Sequence, residues 1–132
     1  MRNRGYQQYK QQSVSTMTNG EMLILLYDEC IKRLTMAEYT LDKKEYDIFE
    51  ESVQRVENIV KYLSAILDRK YDISKDLYRM YDYFLYELSR LRAGRKKEVI
   101  ADIKPMFVEL RDSFKEADKL QANQRKSVGN DM

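Results

Sequence analysis

Between residues 46 and 67, apolar side chains recur at alternating steps of three and four: Tyr46, Phe49, Val53, Val56, Val60, Leu63 and Leu67. That spacing is a heptad seam, which commits the segment to helix and turns one face toward partner helices. A second apolar row, Ile59, Tyr62 and Ile66, runs beside the seam. A helix apolar on two faces either lies inside a large core or meets a partner. A chain of 132 residues makes one core of modest size, so the second row is surplus to it.

Three further stretches carry the same kind of stripe. Leu23, Leu26, Tyr27, Cys30, Leu34, Ala37 and Leu41 predict a helix over about 19–42. Thr18 and Glu21 read as its capping box, with Met17 and Met22 at the spacing of a hydrophobic staple. Met22 to Leu26 is apolar all round, and Ile24 and Ile31 sit seven apart on one flank. On the outer face, Asp28 and Lys32, and Glu29 and Arg33, stand at the spacing of helical ion pairs. After a polar joint at 42–45, the seam helix is expected over 45–68. A third helix, over 75–92, has Leu77, Tyr81, Phe84, Leu88 and Leu91 inward, Ser74 as a plausible cap and Ile73 and Tyr78 as a staple. Gly94 is placed to supply a left-handed closing residue. The fourth, over 96–120, turns Val99, Ile103, Phe107, Leu110, Phe114 and Ala117 inward. Pro105 lies inside it and predicts a kink near 101–105, or a short helix followed by a longer one.

Short joints and heptad seams together predict an all-α, antiparallel up-down four-helix bundle over 18–120. Residues 1–17 form a short N-terminal arm in which Tyr6 and Tyr9 share one side of a helical turn and Val14 is a third apolar anchor. Residues 121–132 are polar and expected to be disordered. Hydrophobic residues at 43% and charged residues at 35% suit a soluble helical domain rather than a disordered one. No apolar run is long enough to span a bilayer, and the first residues do not read as a signal peptide. One cysteine, Cys30, forms no intrachain disulfide, and the expected compartment is the cytosol.

The chain has no histidine, so the usual general base, metal ligand and pH switch is missing. Its four glycines, Gly5, Gly20, Gly94 and Gly129, are too far apart for a phosphate-binding loop. Asp28 and Glu29 are neighbours on a helix and diverge by about a hundred degrees, so they share no site. These absences argue against an enzyme and leave no catalytic, metal or cofactor site to assign. Arg90, Arg92, Arg95, Lys96 and Lys97 form a basic knot at a helix joint. No aromatic is interleaved there for base stacking, and a solvated joint is the preferred reading over a nucleic-acid contact.

The interaction candidates are the surplus apolar side chains. On the second helix they are Ile59, Tyr62 and Ile66; on the first, Ile24 and Ile31 with Tyr27; on the third, Tyr78, Tyr83 and Tyr86, which cannot all face one core. A client groove and a homodimer face both accommodate them.

Several motifs in fitting order resemble the FliS family of flagellar export chaperones. They are Tyr6 and Tyr9 ahead of the arm, Leu25-Leu26-Tyr27-Asp28, Leu67-Asp68 at the end of the second helix, Met80-Tyr81-Asp82-Tyr83-Phe84, and Glu109-Leu110-Arg111-Asp112-Ser113-Phe114. Phe114 stands where the family usually has tryptophan, and Asn19-Gly20 replaces its usual helix opening. The resemblance implies a helical bundle in the cytosol that binds the disordered C-terminal segment of flagellin, blocks premature polymerisation and presents flagellin to the flagellar export apparatus. It implies neither enzymatic activity nor a cofactor. The expected groove residues are Tyr6, Tyr9, Val14, Ile24, Tyr27, Ile31, Ile59, Tyr62, Ile66, Tyr78 and Tyr83. The rival readings are a structural homo-oligomer, whose extra rows pair with copies of themselves, and a weak nucleic-acid-binding bundle using the basic knot.

Overall fold

The computed structural model describes residues 19–130, and their side chains as far as Gln124. Four helices follow one another: α1 (Asn19–Asp42), α2 (Tyr46–Ala65), α3 (Ile73–Gly94) and α4 (Glu98–Asn130). No strand occurs among the described residues, and the chain is an all-α four-helix bundle. Tyr6, Tyr9, Val14, Met17 and Thr18, on which the arm and the capping box rest, lie outside the described residues.

Contacts between the helices run in opposite numerical order. Residues 20 and 28 of α1 meet residues 118 and 111 of α4, and Asp42 at the end of α1 meets Lys97 just before α4 begins. Tyr62 of α2 reaches Met22 near the start of α1, and Arg92 at the end of α3 reaches Gln54 and Glu57 of α2. α1 packs against both α2 and α4, and α3 closes on α2 and, over a shorter seam, on α4. The heptad positions meet in the middle: Phe49, Val53, Val56, Val60 and Leu63 from α2 join Leu34, Phe84, Leu88, Leu91, Ile103 and Phe107 in one cluster. The rings of Phe84 and Phe107 stack at 4.3 Å between centroids, knitting α3 to α4.

The ends of the elements differ from the sequence reading in instructive ways. α2 stops at Ala65 rather than 68, and α3 begins at Ile73. Ser74 is not the cap; it lies in the first turn, buried, and its hydroxyl donates to the carbonyl of Asp68 across the connection. Ile73 and Tyr78 stay exposed instead of stapling the turn. Asp28 pairs with Arg111 of α4 rather than with Lys32, whereas the Glu29–Arg33 pair forms as expected at 2.8 Å. α4 runs as one continuous helix through Pro105, not as a short helix followed by a longer one. Pro105 and Ala101 both lie on the exposed face, where the carbonyl that loses its amide partner is open to water. α4 also continues past Leu120 to Asn130, because Gln121, Ala122, Gln124, Arg125 and Lys126 favour helix and no breaker precedes Gly129. Ala117 is exposed rather than inward.

Both joints at the far end of the bundle close with a non-glycine residue in the left-handed region, Lys44 (φ 59°) and Arg95 (φ 50°). Gly94, expected in that role, remains helical. After α1 the amide of Glu45 bonds the carbonyl of Thr40 and that of Lys44 bonds Leu41, the pattern of a Schellman motif with lysine where glycine is favoured. At the other joint the Arg95 guanidinium stacks over the Tyr46 ring, 3.6 Å from its centroid. A cation–π contact worth about 0.5–1 kcal/mol at an exposed site offsets part of a left-handed penalty of roughly 1–2 kcal/mol.

Candidate functional site: an apolar cleft where α2 turns into α3

At the opposite end of the bundle, α1 begins, α2 ends and α3 begins, and the helices do not seal against one another. A cleft of about 530 Å³ opens there. Its floor is Leu63, Leu77, Tyr81 and Phe114; its rim is Met22, Tyr62, Ile66 and Tyr71. The local sequence explains the opening. The helix stops at Ala65, so the seam residue Leu67 falls outside it and lines the cleft, half-buried against the core. Tyr62 and Ile66 are 47% and 43% exposed, a large apolar area to leave in water. The Tyr62 hydroxyl points to the sulfur of Met22 at 3.9 Å, which bridges the mouth between α2 and α1. A second hollow, of about 410 Å³, adjoins the first and shares Leu67 and Ser74 with it. Tyr78 lines it together with Arg69, Lys75 and Arg79.

The structure thus gathers Tyr62, Ile66 and Tyr78 of the expected residues into one region. Ile24 and Ile31 are half-buried on α1, with Ile31 packed against the core. Tyr83 is exposed on α3 but lines neither hollow, and Tyr86 is more exposed still. Tyr27 and Ile59 are core residues rather than groove residues. Ile59 belongs to the buried cluster on α2, which is wide enough to cover more than the heptad seam. Tyr27 is fully buried, stacks on Phe114 at 5.4 Å, and shares a hydrogen bond between hydroxyls with Tyr81. Burial pushes the Tyr27 phenol and the Cys30 thiol beside it well above their ordinary ranges and raises the Tyr81 phenol as well, so all three stay protonated at neutral pH. Tyr6, Tyr9 and Val14 lie outside the described residues.

Sequence reasoning missed Met22, Leu67, Tyr71 and Phe114 as cleft residues. The all-round apolar run from Met22 to Leu26 was a signal for the first of these. Tyr71 had none, since it sits in a connection where no periodicity applies. The basic knot is mostly engaged within the fold: Arg90 with Glu87, Arg92 with Glu57, Lys97 with Asp42, and Arg95 over Tyr46. No cluster of metal-ligating side chains occurs among the described residues, and none of their helices is long and apolar enough to cross a membrane.

Fold and cleft together define a helical binding module, with an open apolar furrow as its distinctive surface. Residues 1–121 match the family model for FliS, described as the flagellar protein FliS. The chain is 27% identical over 124 residues to the flagellar secretion chaperone FliS of Bacillus subtilis strain 168, an alignment covering 94% of this chain and 93% of that one. The chain belongs to the FliS family.

Proposed function

We propose that this protein is a cytosolic export chaperone that holds the disordered C-terminal segment of flagellin, prevents its premature polymerisation and hands it to the flagellar export apparatus. The observation that carries the reading is the cleft at the α2–α3 turn. Tyr62, Ile66 and Tyr78 present apolar bodies in water at helical spacing, the surface that an amphipathic segment covers. Membership of the family and the name of the Bacillus relative support the same role. Ordering a disordered client costs on the order of 2–5 kcal/mol, so contact beyond one cleft is needed. Residues 1–17, with Tyr6, Tyr9 and Val14, and the exposed flanks of α1 and α3 are the candidates for the remainder. A chaperone of this kind needs no catalytic group, cofactor or nucleic acid.

The test is titration of the full chain with a peptide from the flagellin C-terminus, monitored by calorimetry and by light scattering. A one-to-one complex supports the reading, and Ile66→Ser should weaken it while leaving thermal stability nearly unchanged. A stable homodimer that ignores the peptide defeats it.

A further inference from the structure

The hollow beside the cleft differs from it in charge. Arg69, Lys75 and Arg79 line it, and no carboxylate does. Elsewhere in the fold, cations that approach a carboxylate pair with it: Arg33 with Glu29, Arg111 with Asp28, Lys97 with Asp42. None of the three cations here is in an ion pair among the described residues. Asp72 and Asp76 are close in sequence, but they line neither hollow and form no ion pair, and Asp68, which lines the neighbouring cleft, pairs with Lys70 at 3.7 Å. Lys75 and Arg79 stand one helical turn apart on α3, and Arg69 approaches from the connection with its guanidinium 5.8 Å from the Tyr78 ring centroid. The start of α3 adds the positive end of a 22-residue helix to the same place. Three like charges over an apolar floor of Leu67 and Tyr78 make a positive potential that no carboxylate of the hollow's own lining neutralises.

We infer that this hollow receives an acidic side chain of the client, a few residues from the apolar anchors that fill the neighbouring cleft; the inference rests on the chaperone reading above. The two hollows adjoin at Leu67 and Ser74, close enough for a single peptide to reach both the apolar part and the cationic part. Charge disfavours the chain's own terminal segments as the occupant. Residues 1–18 carry Arg2, Arg4 and Lys10 and no acidic residue. Residues 119–132 carry Lys119, Arg125 and Lys126 against a single acidic residue, Asp131, and are net basic. A cation brought to this hollow is repelled, whereas a carboxylate pairs with guanidinium and ammonium groups that have no carboxylate partner among the described residues. The acidic contact also fixes the register of the bound segment, which apolar anchors at repeating spacing leave free to slide.

The experiment measures binding of three flagellin C-terminal peptides to the full chain: native, one with every Asp and Glu changed to Asn and Gln, and one amidated at its terminus. Wild type is compared with Lys75→Gln/Arg79→Gln and with Lys32→Gln, a control for net charge on the outer face of α1. The neutralised peptide is expected to bind wild type about tenfold more weakly than the native one, and the double variant to lose about tenfold for the native peptide and nothing for the neutralised one. The native loss should shrink in high salt, and both amidation and Lys32→Gln should have no effect. The inference is overturned if the double variant binds the native peptide as wild type does, if it weakens native and neutralised peptides equally, or if only amidation matters. It is overturned too if the hollow takes an RNA oligonucleotide in competition with the peptide. If the native peptide fails to bind wild type at all, the chaperone reading itself falls.

Discussion

The hydroxyls of Tyr27 on α1 and Tyr81 on α3 meet inside the bundle, between helices that stand diagonally across it. Both residues are fully buried, so each hydroxyl is the other's means of avoiding an unsatisfied polar group. They belong to Leu25-Leu26-Tyr27-Asp28 and Met80-Tyr81-Asp82-Tyr83-Phe84, two of the motifs that carried the family resemblance. Here those motif tyrosines hold the frame that positions the cleft, with Tyr81 also forming part of its floor. Tyr27→Phe or Tyr81→Phe should each cost roughly 1–3 kcal/mol by stranding the partner hydroxyl, and the double variant should cost less than the sum. Urea unfolding of the four proteins checks this, and strict additivity would show that the hydroxyls are not partners.

The same burial predicts an alkaline limit. In the unfolded chain the Cys30 thiol loses its proton near 9.0 and the two phenols near 10.0, while in the folded protein all three titrate higher. Above those values the unfolded state holds fewer protons, so stability falls by about 1.4 kcal/mol per pH unit for each group. Below about pH 8.5 these groups contribute no pH dependence. Denaturant midpoints measured from neutral pH to about pH 11 should be flat and then drop, and Tyr27→Phe/Tyr81→Phe should flatten the drop.

The two left-handed joint residues make opposite predictions under one substitution. Lys44→Gly relieves a backbone penalty with no partner to lose and should stabilise the protein by about 1 kcal/mol. Arg95→Gly relieves a similar penalty but removes the stack on Tyr46, so its gain should be smaller or absent. Paired thermal melts distinguish them; equal gains would mean that the stack contributes nothing.

Asp28 and Arg111 link α1 to α4 at 3.0 Å, with side chains 43% and 25% exposed. Arg111 also reaches Asp112, and these partners hold its guanidinium more firmly protonated than usual, the Asp28 hydrogen bond most of all. Exposure on this scale limits the value of the pair to under about 1 kcal/mol. Asp28→Asn should therefore destabilise slightly, and the difference should diminish in 1 M salt, where the Debye length is about 3 Å. A cost that persists in high salt would assign Asp28 a packing role instead.

Helix number, approximate boundaries and most core positions were legible in the sequence, because a helix that buries one stripe repeats at three and four residues and the repeat survives without knowledge of its neighbours. Phe49, Val53, Phe84 and Phe107 were placed correctly on that basis alone. Tyr62 and Ile66 were recognisable as surplus for the same reason. The chain closure at Lys44 and Arg95, the partner of Asp28 and the burial of Ile59 were not legible. Each depends on which side chains arrive from another helix, and periodicity carries no information about that. The cleft itself belongs to the tertiary structure. It exists because α2 stops at Ala65 and α3 starts at Ile73, leaving Leu67, Tyr71 and three unpaired cations around a space that only the relative placement of three helix ends could leave open.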